Sequence, residues 1–238
     1  MAALIFNADD LGLSPGVNKG IVDCYKNGVV NSASLMTTTK YFEEAVALIK
    51  EHNLSNIGLH FNLTEGKPLL QKHKTIIDVE GNFIRSICDK KNIDITEIEQ
   101  ELETQYKMAI DAGVLITHFD SHHHVHMSAL LNLAFLKLAN KYDKPLRKVS
   151  NTYRHPLRRL KHYLRFKNHQ FYTSSFSAEF YDKKATFNVL KSIINNSRGS
   201  IEIMCHPGYQ DNENGVYNIQ RQQEMKVLLN SDLNKVIK

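Results

Sequence analysis

Four short apolar runs, far apart in the chain, each end in an acid or an imidazole, and that repetition constrains the fold more than anything else in the sequence. Ala2–Asn7 delivers Asn7, Ala8, Asp9 and Asp10, and Asn56–Leu63 ends near His60. Val114–Phe119 leads into Asp120 and Ser121, and Ser200–Cys205 delivers His206, Pro207, Gly208 and Tyr209. Apolar, β-branched runs that turn polar at one end read as buried strands leaving a core. Between them lie helical patterns. Ser14 and Pro15 give an N-cap and first-turn signal for a helix to about Asn27, stopped by Gly28. Serine-rich Asn31–Thr37 reads as a second strand, and Tyr41–His52 has Phe42, Ala45, Val46, Leu48 and Ile49 at helical spacing. This alternation predicts a parallel sheet with crossover helices. Parallel α/β folds gather the carboxyl ends of their strands at one face. Asp9, Asp10, His60, the histidines from His118 to His126, and His206 are therefore expected to converge.

The rest of the chain fits one domain over residues 1–238 with two interruptions. Thr64–Asn92 breaks the rhythm and reads as an insertion over one end of the sheet, with a hairpin around Glu80-Gly81-Asn82. Asp94 and Glu97 form a helix-start signal for a long helix to about Ala112, closed by Gly113. Further helices are expected over Ser128–Lys141, Lys183–Asn196 and Asn218–Leu229, with short strands at Val149–Asn151 and Ser175–Glu179. The second interruption is basic and irregular. From Lys144 to His169 there are nine Lys or Arg and no acid, so the remainder carries about −4 of the net +5. Tyr153, Tyr163 and Phe166 among those charges give a nucleic-acid-like composition, but no nucleic-acid motif accompanies it, and a solvated positive face is the expectation.

Three cysteines, Cys24, Cys88 and Cys205, are an odd count without C-x-x-C spacing, which argues against a disulfide framework. The opening MAALIF is too short for a secretory signal, and no apolar run approaches the roughly 20 residues of a membrane span. A cytoplasmic protein is expected.

The densest chemistry is Thr117–Met127, THFDSHHHVHM. Continued extension would put His118, Asp120, His122, His124 and His126 on one face and His123 opposite. Such a run spans about 26 Å, so only a subset can serve one ion. Imidazole with carboxylate suits Zn2+, Fe2+ or Co2+. Asp10, His60 and one histidine of this run supply such a set, leaving Asp9 and His206 as proton-transfer groups.

The segments NADDLGLSPGVNKGI (Asn7–Ile21), GLHFNLTEGKPL (Gly58–Leu69), THFDSHHHVHM and EIMCHPGY (Glu202–Tyr209) closely resemble the YdjC-type carbohydrate deacetylases, in the same order and over nearly the whole chain. The resemblance implies an α/β fold, an irregular (β/α) barrel of the glycoside hydrolase/deacetylase kind. It also implies a metal-dependent hydrolase that removes N-acetyl groups from chito-oligosaccharide-like substrates. It assigns Asp10, His60 and His122 as metal ligands, Asp9 as general base, and His206 as acid or oxyanion stabiliser. His124, Asn7 and Pro207 are candidates for substrate contact, His124 because alternation puts it on the face of His122. One divalent ion is implied. The family is described with Mg2+, whereas the imidazoles fit Zn2+ or another transition metal. A homodimer is compatible with this reading. Family members commonly continue beyond the position of Lys238 into a closing strand, so that strand is expected to be missing or supplied differently.

Two rivals are weighed. A glycosidase using Asp9 and Asp10 needs carboxyls roughly 5 to 9 Å apart across the bond, which adjacent residues cannot easily provide. A non-catalytic binder of sugar, or of nucleic acid through Lys144–His169, would release no acetate.

Overall fold

The computed structural model describes residues 3–148, 157, 160, 164–213, 217–230 and 232–233. In chain order it contains β1 (Leu4–Leu11), α1 (Pro15–Asn27), β2 (Ser32–Leu35), α2 (Phe42–Glu51), β3 (Ile57–Phe61), α3 (Ile95–Asp111) and β4 (Ile116–Ser121). Then follow α4 (Asn132–Lys141), β5 (Ser175–Ser177), α5 (Phe187–Asn196), β6 (Ile201–Cys205) and α6 (Asn218–Leu228). The strands form one parallel sheet in the order β4-β3-β2-β1-β6-β5, curled into a half-barrel with helices around it. The expected α/β architecture is present. Strands β2, β3 and β6 are buried at every position, which is why they read as continuous rather than alternating runs.

Among the described residues, the two ends of the sheet are linked by a rung at Leu146 inside the basic segment. Leu146 pairs in parallel with Phe119 of β4 on one side and with Phe171 on the other. Arg147 N–H donates to Phe119 O, and Tyr172 N–H donates to Leu146 O. Phe171 leads into β5, so Pro145–Arg147 does the work of a closing strand. The strand expected at Val149–Asn151 lies outside the described residues, as does much of the rest of the basic segment.

Between β3, β4, α3 and α4 the core is aromatic. Phe61 meets Phe119 and Phe135 edge-on at 5.1 and 5.6 Å, and Tyr106 meets Phe119 at 5.4 Å. The insertion is fastened to α3 from this side. Asp94 caps α3 by accepting Thr96 N–H, but Glu97 does not close the expected reciprocal box. Its carboxylate instead accepts the Lys74 and Thr75 N–H groups. One turn on, buried Glu101 accepts Leu69 and Leu70 N–H and pairs with His73 at 3.0 Å. Unpaired N–H groups in a covered loop are costly, and these two glutamates satisfy four of them. The hairpin is present, with Ile77 and Phe83 bridged antiparallel.

Three boundaries differ from expectation. Helix α4 starts at Asn132 rather than Ser128, because the chain first makes a 3-10 turn over His122–Met127. Helix α5 starts at Phe187, where Thr186 caps it, and Lys183 belongs to a separate 3-10 turn. Strand β5 stops at Ser177.

The loop after β6 is seated on α1. A Cβ on Gly20 would lie 2.5 Å from Gly208 Cα, so only glycine permits this approach. Tyr209 N–H donates to Gly16 O, and Gly16 N–H donates to Asp211 Oδ2 at 2.6 Å. Among the described residues, no helix is long and apolar enough to cross a membrane.

Candidate active site

The carboxyl ends of the strands open into a cavity of about 460 Å3. Both Asp9 and Asp10 line it, although neighbours on a strand should point to opposite faces. The cause is a bulge in β1: its register against β2 shifts between Ala8 and Leu11, and Asp10 takes φ 72°. Bulges re-aim side chains in this way. Left-handed backbone is tolerated best by Asp, Asn and Gly.

Asp10 is the hub of the first cluster. Its Oδ1 lies 3.2 Å from His60 Nε2 and 3.0 Å from His122 Nδ1. Donors about 2.1 Å from one tetrahedral ion stand roughly 3.4 Å apart, so these three atoms fit a single small cation. All three residues are buried. The other Asp10 oxygen, Oδ2, accepts from Arg221 Nη2 at 2.6 Å. Burial alone would raise the Asp10 carboxyl, but Arg221 and His122 outweigh it and hold it well below the ordinary range. His60 turns its other nitrogen, Nδ1, to Asp120 Oδ1 at 2.9 Å. His122 turns Nε2 to Glu65 Oε2, also at 2.9 Å. Burial disfavours a charged His60, yet Asp120, Asp9 and Asp10 raise it to about 10. His122 is likewise raised, its burial outweighed by Asp10 and Glu65.

Beneath this cluster lies a cage around Arg147, which is 0% exposed. Its Nη1 and Nη2 grip Asp9 Oδ2 and Oδ1 at 2.8 and 2.6 Å, Nη2 also reaches Asp120 Oδ2, and Nε donates to Glu202 Oε1 at 2.7 Å. Asp9 Oδ1 also accepts from Asn7 at 2.7 Å. Burial would raise Asp9, but Arg147 outweighs it, and the carboxyl stays below its usual value. One guanidinium cannot neutralise three carboxylates. Burial pushes Glu202 up to about 7, and its Oε2 has no partner, as suits the acid that keeps its proton. The serines of β2 belong to the same network: Ser32 donates to Asn7 Oδ1, and Ser34 donates to Asp120 Oδ2.

The opposite wall comes from β6 and α6. His206 lines the cavity, and its backbone N–H donates to Glu224 on α6. Its ring meets Tyr181 and Tyr217 edge-on at 5.5 and 5.7 Å, and those two rings stack on each other at 4.7 Å. Tyr217 Oη donates to Glu224, fixing that wall to α6.

The histidine run does not stay extended. After Ser121 it enters the 3-10 turn, with His123 at φ 51° and His124 at φ 53°. His123, expected on the opposite face, therefore lines the same cavity as His122 and His124. His118 and His126, expected to join them, are core residues. His118 stacks on Tyr172 at 3.8 Å and presses on Gly58, where a Cβ would lie 2.4 Å from its Nε2. His126 shares a 2.6 Å hydrogen bond with Ser121 Oγ. Burial lowers both, His118 to about 4, so they are neutral. Asn7 and Pro207 are buried; neither lines the cavity, and Asn7 spends its amide on Asp9, Ser32 and Ser34.

Sequence reasoning missed Arg147, Arg221, Glu202 and Glu224. The composition of Lys144–His169 reads as a solvated positive face, yet Arg147 within it is fully buried beneath the site. A signal existed: Glu202 stands inside the apolar strand SIEIMC, and a buried acid requires a partner.

Residues 3–238 match the family described as YdjC-like protein. Over the full chain the sequence is 37% identical to the carbohydrate deacetylase of Thermoanaerobacter pseudethanolicus, covering 95% of that protein. It is 33% identical to the carbohydrate deacetylase of Clostridium beijerinckii, with 97% of this chain and 92% of that one covered. A crystal structure from Enterococcus faecalis V583, of a protein named for cellobiose-phosphate cleavage, superposes with a TM-score of 0.89 at 31% identity, covering 99% of this chain and 94% of that one. The chain belongs to the YdjC-like family.

Proposed function

We propose that the chain is a metal-dependent deacetylase that hydrolyses the N-acetyl group of an acetylated amino sugar, releasing acetate and a free amine. The observation that carries this reading is the convergence of Asp10, His60 and His122 on one point while Asp9 and His206 line the same cavity. The names of the curated relatives point the same way. Asp10, His60 and His122 would hold the cation. Arg221 occupies Asp10 Oδ2, which leaves Oδ1 as the ligand atom. Two imidazoles with one carboxylate favour a transition ion such as Zn2+ over Mg2+. A divalent ion held there would polarise the acetamide carbonyl and acidify water.

The chain's own residues supply the rest. Asp9 stays ionised under Arg147 and has one lone pair left on Oδ2 to take a proton from the attacking water. Arg147 holds it below its usual value, so it would serve as a base toward water whose own pKa the bound ion would lower. His206, across the cavity, donates to the departing amine. Tyr181, 44% exposed on that wall, offers apolar surface to a pyranose ring.

A glycosidase needs one protonated carboxyl at the bond. Asp9 and Asp10 are both held ionised, Glu65 is drawn down to about 2 by its bond to His122, and Glu202 is buried and does not line the cavity, which disfavours that alternative. The test uses N-acetylated chito-oligomers, assayed for acetate and for new reducing ends. Acetate alone is expected from the native protein. Asp9→Asn is expected to keep its metal and lose at least ~100-fold in kcat, whereas His60→Ala loses both metal and activity. Full activity in Asp9→Asn, or reducing ends without acetate, would overturn the proposal.

A further inference from the structure

We infer that Glu65, delivered by the insertion and held by Arg85, is a positioning residue for His122, so that the insertion sets how tightly the site binds its cation. The inference rests on the proposed role of His122 as a metal ligand.

The two ligand histidines are oriented oppositely. His60 directs Nε2 at Asp10 and donates through Nδ1 to Asp120, whereas His122 directs Nδ1 at Asp10 and donates through Nε2 to Glu65. In each ring the nitrogen away from the cluster is committed to a carboxylate. That commitment holds each ring in place, so that the inner nitrogen is the one a cation would take in exchange for its proton. Each outer carboxylate is itself held by an arginine. Arg147 grips Asp120, and Arg85 Nη1 lies 2.8 Å from Glu65 Oε1. The pattern behind His60 is thus repeated behind His122, with both the carboxylate and the arginine supplied by the insertion.

The position of Glu65 is built rather than incidental. Asn62, just past β3, accepts the Thr64 and Glu65 N–H groups at 3.1 Å each, and its amide donates to Glu65 O at 2.7 Å. Gln105 of α3 in turn bonds Asn62 through both its backbone N–H and its C=O. A chain of contacts therefore runs from α3 through Asn62 to Glu65 and on to His122. Arg85, from the far side of the insertion's hairpin, also contacts His123 Nε2 at 3.2 Å, so it spans both residues at the mouth.

The adjacent grouping of Glu65, His122 and His123 is not a second cation site. Arg85 already lies on Glu65 and His123, and His123 Nδ1 is engaged by Thr64 at 2.7 Å.

The test is calorimetric titration of the metal-stripped full chain with Zn2+, joined to the visible spectrum of the Co2+ form. Four proteins are compared: native, Glu65→Ala, Glu65→Gln and His60→Ala. Glu65→Ala is expected to bind Zn2+ 10- to 100-fold more weakly, with an altered Co2+ spectrum, because His122 is no longer held in orientation. Glu65→Gln keeps an acceptor oxygen and is expected to recover most of that loss. A role only in seating the loop would leave the Co2+ spectrum native. Binding of Glu65→Ala within twofold of native, with His60→Ala strongly impaired, overturns this inference alone. If His60→Ala binds like the native protein, or the native protein does not bind, the ligand assignment falls and takes the inference with it.

Discussion

At the floor of the cavity Arg147 grips Asp9, Asp120 and Glu202, all four at 1% exposure or less, while at its mouth Arg85 grips Glu65 with 68% and 45% of the two side chains in water. The device is the same, an arginine holding a carboxylate behind an imidazole, and only the depth differs. Depth decides what each copy can affect. In the low-dielectric floor an unpaired charge is very costly, so the deep copy ties the integrity of the fold to the orientation of Asp9 and His60. At the mouth, water screens the pair, so the shallow copy can be changed with chemical consequences and little effect on folding.

The largest effect should come from removing the deep cation. Arg147→Met strips Asp9 and Asp120 of their buried guanidinium and Glu202 Oε1 of its donor, and a loss of about 3 to 5 kcal/mol is expected in chemical denaturation. A loss under about 1 kcal/mol would mean that the floor is wetter than described.

A pH experiment sharpens the same contrast. The Glu202 carboxyl, ordinarily near 4.5, is pushed up to about 7 in the fold. Between those values the folded state holds a proton that the unfolded state has lost. This stabilisation is complete below about 4.5 and disappears as pH rises through about 7. Native protein should therefore lose more stability than Glu202→Gln between pH 5 and pH 8. Parallel curves for the two would contradict the assignment of the proton to Glu202. At the mouth the expected change is smallest. Arg85→Ala should shift unfolding by no more than about 1 kcal/mol, since exposed pairs contribute little. A larger loss would show that the insertion carries structural load.

The contrast in depth also separates what the sequence disclosed from what it did not. Strand ends were legible because a parallel strand buried on both faces is an apolar run, and the first polar residue marks its exit; hence Asp10, His60 and His206 could be placed on one face. The caps of α1 and α3 at Ser14 and Asp94 were legible for local reasons. What stayed hidden depends on the third dimension. Alternation argues against Asp9 and Asp10 sharing a cavity, and only the left-handed turn at Asp10 reconciles them. The same rule misplaced His123 and His126, because the chain leaves extension at Ser121, whereas His118 stays within β4 beside Asp120, two residues back from it and away from the cavity. Arg147 was hidden by its company, since eight other cations between Lys144 and His169 suggested a solvated face. Glu65 stands in the segment GLHFNLTEGKPL, but nothing local says that it faces His122.

The central claim is that Asp10, His60 and His122 hold one cation beside Asp9. The most direct measurement is an anomalous difference map from a crystal of the metal-loaded protein, collected at the absorption edge of Zn2+ or Mn2+. One peak about 2.0 to 2.2 Å from Asp10 Oδ1, His60 Nε2 and His122 Nδ1 is predicted. No peak there, or a peak confined to Glu65 and His123 at the mouth, would contradict the account.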